Sequence, residues 1–208
     1  MIAEDVATPT RCMSATDPLS ELRMQTAHLA VPVNDRDHVS GRRSAPVELV
    51  EYGDFECPHS ARAHPIIETA QRYLADDLCF VYRYFSLNEI HPHAQLAAES
   101  AVSAGEQGRF WQMHDTLFRH RNALELDDLL DYAQSIGCDP TRVAAELAAG
   151  THTARVLNDA RGGLRSGVRG TPAFFVNGVR YDGPWADPSV FIGLLSHTAT
   201  LAHAMAHH

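Results

Sequence analysis

Cys57-Pro58-His59-Ser60 puts one thiol at the point where a run of β-branched residues gives way to helical spacing. A thiolate is the nucleophile of disulfide exchange, and a helix N-terminus and a neighbouring His⁺ both favour it over the thiol. Cys57 is expected to have both: the unpaired N–H groups and partial positive charge of a helix start, and His59 in the same first turn. The competing reading is an inert, buried cysteine, since free Cys is among the most buried residue types. Ser60 stands where a two-cysteine site has its resolving thiol, and it cannot form a disulfide. It is placed to donate a hydrogen bond to the thiolate or to satisfy backbone groups of the first turn. Far along the chain, Gly170-Thr171-Pro172 is an X-Pro turn of the kind that can hold a substrate chain beside such a thiol.

These residues need elements to position them. Residues 47–52 read as a buried strand, 53–56 as a turn, and 58–75 as a helix with Ala61, Ile66, Ile67, Ala70 and Leu74 at helical spacing. Residues 78–85 read as a second strand, parallel to the first because a helix connects them. From about residue 93 to 166 the pattern is helical, with Asp139-Pro140 as a start signal and Gly150 or Gly162 as stops. Residues 172–176 and 179–181, joined by Asn177-Gly178, spell a hairpin, and a last helix covers about 188–203. The expectation is an α/β chain of order βα, β, helical insert, ββα. Residues 1–35 are expected as a flexible arm, 36–92 and 166–203 as the α/β domain, and 93–165 as the inserted helical subdomain. Cys79, Cys138 and the run Phe110, Trp111, Met113, Leu117, Phe118 read as core.

Composition narrows the function. A chain of 208 residues, 45% hydrophobic and 21% charged, supports one full core. The net charge of −9 and pI near 5.7 argue against nucleic acid or an anionic membrane as partner. There is no Lys, which excludes Schiff-base chemistry and a P-loop lysine. The acidic start lacks a secretory signal pattern, and no apolar run in the sequence approaches the roughly 20 residues of a membrane span. A cytoplasmic protein without a membrane span is expected. Cys12, Cys57, Cys79 and Cys138 have neither zinc spacing nor the look of a disulfide framework. His59, His64, His91 and His93 invite a metal reading, but spacing alone does not make three or four ligands converge, and no metal is expected. His203, His207 and His208 read as a solvated helix end.

Asp37-His38-Val39, Ala45-Pro46-Val47, the run from Val50 through Glu51, Tyr52 and Gly53-Asp54-Phe55-Glu56 to Cys57-Pro58, His91-Pro92-His93-Ala94, and Gly170-Thr171-Pro172 followed by Phe174-Phe175 resemble the DsbA-like thiol:disulfide oxidoreductases. The resemblance spans roughly residues 36–195 in the family's order and is nearest to the form fused to some sodium/proton antiporters. It implies a thioredoxin-like fold with an inserted helical subdomain. It also implies a cis-proline at Pro172 whose Thr171 backbone meets the substrate beside Cys57 and Pro58. Glu51, six residues before Cys57, falls where the family has a buried acid near the thiol; if desolvated, it can relay protons to the leaving sulfur. The alternative for Glu51 is a solvated strand carboxylate.

The family usually carries Cys-Pro-x-Cys, and this chain departs from it at Ser60. The implied activity is therefore thiol–disulfide exchange with one nucleophilic cysteine, no bound cofactor, and glutathione or a similar low-molecular-weight thiol as co-substrate. The expected partner is a protein or small thiol carrying a disulfide or mixed disulfide. Two alternatives remain. One is a glutathione-dependent transferase or isomerase with Arg169 as a carboxylate contact, and the other is a non-catalytic peptide-binding module.

Overall fold

Alternation along the strands builds a sheet buried on both faces. Val47 and Leu49 of β2 (Val47–Gly53) and Leu78, Phe80, Tyr82 and Tyr84 of β3 (Leu78–Tyr84) enter one apolar cluster, whereas Val50, Tyr52, Cys79 and Val81 enter a second. Burial on both sides is why these two strands read as nearly continuous apolar runs. The computed structural model describes residues 27–206. In it, β1 (His38–Ser40), β4 (Ala173–Val176) and β5 (Val179–Tyr181) complete a sheet of order β1-β3-β2-β4-β5. The β2–β3 pair is parallel and the other pairs are antiparallel.

The crossover from β2 to β3 is α1 (Pro58–Leu74). Between β3 and β4 come α2 (Ala94–Gly105), α3 (Phe110–Arg119), α4 (Leu126–Ser135), α5 (Pro140–Ala148) and α6 (Thr153–Arg165); α7 (Pro188–Ala206) follows the sheet. This is the expected α/β thioredoxin-like order with its helical insert. Asp139 caps α5 as its sequence implies, its Oδ1 accepting from Thr141 N–H and Arg142 N–H. Asn177 and Gly178 turn the hairpin with φ of 48° and 77°, the pair of positive angles a two-residue turn needs.

Four readings need correction. β1 was not anticipated; three residues are too few to show a period. Gly162 does not end a helix but lies inside α6, where it and Gly163 admit the rings of Tyr52 and Phe85. The last helix runs on to Ala206 and, at 19 residues, is long and apolar enough to cross a membrane by length and composition. Its Phe191, Leu195 and Ala199 are nonetheless buried in the core it shares with α1.

The fourth correction concerns the arm. Residues 1–26 lie outside the described residues, but 27–33 are tied down. Leu29 N–H donates to Gly178 O at 2.8 Å, Arg180 N–H donates to Ala27 O at 2.9 Å, and Ala30 N–H donates to Ser166 Oγ at 2.9 Å. Arg83 pins the segment from below. Its guanidinium donates to both Asp37 oxygens at 2.8 and 2.9 Å, to Val31 O at 2.7 Å, to Pro32 O at 3.1 Å and to Tyr52 Oη at 3.1 Å. Removing one partner of a buried ion pair leaves the other charge uncompensated. Asp37→Ala is therefore expected to cost about 3–5 kcal/mol in urea unfolding and to release residues 27–33 to proteolysis.

Candidate functional site

Cys57 is the N-cap of α1, with φ −70° and ψ 124°, and Pro58 occupies the first helical position, where its missing N–H costs nothing. The first turn has no side-chain cap, so its donor N–H groups and the positive helix end stay available beside the sulfur. The sulfur donates to Thr171 O at 3.4 Å. The Thr171–Pro172 peptide bond is cis. Cys57 is only 3% exposed, while Pro58 and His59 beside it are open to solvent. Ser60 is fully buried, and its Oγ accepts from Asp54 N–H at 3.3 Å. Of the two roles open to Ser60, the structure shows the one that satisfies the backbone of the turn.

Asp54, which the sequence reading passed over as a turn residue, organises this corner. Its Oδ1 accepts from Glu56 N–H at 2.8 Å and Cys57 N–H at 3.2 Å; its Oδ2 accepts from Leu87 N–H at 2.9 Å and meets His91 Nδ1 at 2.9 Å. Next to it, Glu56 accepts from His93 N–H at 2.8 Å and meets His93 Nδ1 at 3.0 Å, and His93 Nε2 reaches Glu125 Oε1 at 3.0 Å. The hydrogen bond from Glu56 holds the His93 pKa above its ordinary value. These groups line a cleft of ≈ 370 Å³ beside Pro58, with Leu124 of the insert on its far side. His91 and His93 are thus partners of carboxylates. Asp54 carried a local signal, since Asp commonly hydrogen-bonds backbone N–H groups two or three residues on.

Glu51 is buried, not solvated: it is 1% exposed, its Oε1 has no partner among the described residues, and burial pushes its pKa up to about 8. It projects from the sheet face that carries Leu49, toward α1 and α3, into a cavity of ≈ 350 Å³. Tyr82, its register partner on β3, is also buried, its hydroxyl without a partner among the described residues. Burial, and then the charges of Glu51, Asp54, Tyr84 and Cys57, push the Tyr82 pKa well above its usual value. Tyr82 is a second neighbour of the site that the sequence reading placed only in a strand. Arg169 donates to Val168 O at 3.1 Å.

The family model described as thioredoxin matches residues 33–190. Among curated proteins, the chain is 46% identical over 160 residues to a Na(+)/H(+) antiporter NhaA 1 of Salinispora arenicola, covering 76% of this chain and 24% of that protein. The chain therefore spans about a quarter of that relative's length. Among solved structures, oxidised BdbD from Bacillus subtilis superposes with a TM-score of 0.75 at 22% identity, covering 84% of this chain and 98% of the other. Wolbachia pipientis alpha-DsbA1 superposes with a TM-score of 0.74 at 16% identity, covering 86% and 98%. These two likenesses bear on the fold.

Two predictions follow from the buried carboxyls. A carboxyl whose pKa is raised from 4.5 to about 8 on folding keeps its proton in the native state where the unfolded chain has lost it. Stability must then fall as pH rises through that window, by at most about 1.4 kcal/mol per pH unit. Glu51→Gln is expected to be more stable than the parent by a margin that grows from about pH 5 to about pH 8 and then levels off, as read by urea unfolding across pH. Asp54→Asn leaves one oxygen where two accept, so the Leu87 N–H and His91 lose their acceptor. A loss of about 1–3 kcal/mol is expected, with displaced Cys57 and Leu87 amide resonances in the ¹⁵N–¹H spectrum.

Proposed function

The chain belongs to the DsbA-like part of the thioredoxin superfamily, and from that membership we propose that it exchanges disulfides through one nucleophilic thiol, Cys57, with glutathione or a similar low-molecular-weight thiol completing the cycle. The observation that carries this reading is a helix-start sulfur 3.4 Å from Thr171 O, with a hydroxyl rather than a thiol one turn on. The proposed setting is cytoplasmic, where Cys79 and Cys138 stay reduced.

In the proposed reaction the Cys57 thiolate attacks the glutathione sulfur of a partner–glutathione mixed disulfide, forming a Cys57–S–S–glutathione bond while the partner leaves as its thiolate. An external thiolate then attacks the glutathione sulfur of that adduct, giving oxidised glutathione and returning Cys57 as thiolate. Over the cycle one mixed disulfide and one external thiolate become one free partner thiolate and one oxidised glutathione, so atoms and electrons balance. Glu51, protonated below about pH 8, is proposed as the proton store for the sulfur at this buried end of the site, with Tyr82 beside it. An extended substrate chain would lie along the 170–172 backbone by β-augmentation. Pro58 and the exposed His59 form the opposite side.

Incubation with oxidised glutathione is expected to add one glutathione per chain at Cys57, visible by intact mass and removed by excess reduced thiol. Ser60→Cys is expected to close an internal disulfide instead. A Cys57 that stays unmodified would leave only a binding role for this corner, and an internal Cys57 disulfide in the parent would overturn the single-thiol cycle.

A further inference from the structure

Hydrogen bonding does not use up the polar groups packed between α1 and α3. His64 of α1 and His114 and Asp115 of α3 bring one ligand atom each to within 4.8 Å of one another. His64 Nε2 and His114 Nδ1 stand 3.0 and 2.9 Å from the same oxygen, Asp115 Oδ1. Both rings are buried, and the Asp115 side chain is 32% exposed, so the cluster has one route to solvent. A second observation comes from the cavity beside the cluster. Glu51 Oε1 and His114 Nε2 are buried without partners among the described residues, and both residues line the cavity that His64 and Asp115 also line.

We propose that His64, His114 and Asp115 bind a divalent transition-metal ion, zinc by the chemistry of the donors, with its fourth direction open to the cavity that Glu51 lines. Two imidazole nitrogens and one carboxylate oxygen suit a borderline cation, and three protein ligands with one open position is a common zinc arrangement. Ligand atoms around a tetrahedral zinc lie roughly 3.3 Å apart for bonds of about 2.0 Å, close to the separations present here. Glu51, whose Oε1 has no partner among the described residues, lines the same cavity as the three ligands. Bound metal would clamp the helix that carries Cys57 to the first aromatic-rich helix of the insert.

The spacing of these residues gives no sequence sign of such a site, because α1 and α3 meet only in the fold. The test uses the full chain, with Cys57→Ser to remove a competing sulfur, stripped with chelator and titrated with ZnCl₂ by calorimetry. One Zn²⁺ per chain is expected, with binding weakened more than tenfold by Asp115→Asn and by His64→Gln, each checked for fold by circular dichroism. Absence of zinc binding, or zinc binding unchanged in both variants, overturns the site and assigns any bound metal to surface histidines. Co(II) in place of zinc is the second measurement, free of mutation at the ligands. Intense visible bands of a four-coordinate ion support the site, and the weak spectrum of a six-coordinate ion overturns it.

Discussion

One buried carboxylate holds the corner on which the chemistry depends. Asp54 is 2% exposed and receives four hydrogen bonds, from Glu56, Cys57, Leu87 and His91. Two of them shape the turn that starts α1, and two fix the loop that leaves β3. Ends of adjacent parallel strands are thereby locked to one another, and the sulfur of Cys57 is set at the helix end rather than left to a mobile loop. The approach to Thr171 O follows from this, because β4 pairs with β2 in register, Tyr52 opposite Ala173, and so brings the 170–172 turn to the same end of the sheet. A carboxylate that accepts several N–H bonds is strongly held in place, and a substitution there disturbs three segments at once.

The face of the sheet toward α1 and α3 carries more polar chemistry than its apolar pattern suggests. Glu51, Tyr82, His64 and His114 sit among Phe55, Phe80, Phe110 and Phe118. Burying such groups without partners is costly, and a sequence selected for stability alone would put aliphatic side chains there. Glu51 and Tyr82 lie on strands that end at the thiol, whereas His64 lies two turns along the helix that the thiol starts. The polar groups therefore run back from Cys57 into the junction between the α/β domain and the insert. The contact of the insert with α1 and the surroundings of the sulfur share these residues.

Much of this was legible in the sequence because it was local. Buried, β-branched and aromatic runs marked β2 and β3, Asp139-Pro140 marked the start of α5, Asn177-Gly178 marked the hairpin, and the thiol at the change of period marked the α1 N-terminus. What escaped depends on pairing across the chain. Asp54 looked like any turn aspartate because two of its partners, Leu87 and His91, lie more than thirty residues away. His64 was seen, but His114 and Asp115 were inside a run read as core, and nothing in a linear spacing brings one helix onto another. The anchoring of residues 27–33 rests in part on Arg83, a charge inside a strand whose partners are backbone carbonyls, one carboxylate and the Tyr52 hydroxyl. Glu51 was left between two environments until the fold showed which face of β2 it occupies.

Ser60 ties the geometry to the kinetics. Its oxygen accepts from Asp54 N–H, a bond that sulfur, a weak acceptor, makes poorly, so the hydroxyl strengthens the same turn that seats Cys57. The change also removes the attacker that in a dithiol site acts with an effective molarity of roughly 10⁵ M or more. On the proposed cycle a mixed disulfide on Cys57 persists until a thiol arrives from solution, and its lifetime scales inversely with that thiol's concentration. A rigid turn and a long-lived adduct are two results of one substitution. On the proposed cycle, such a site reports the thiol status of its surroundings through how long it stays loaded, which a self-resolving pair of cysteines does not do.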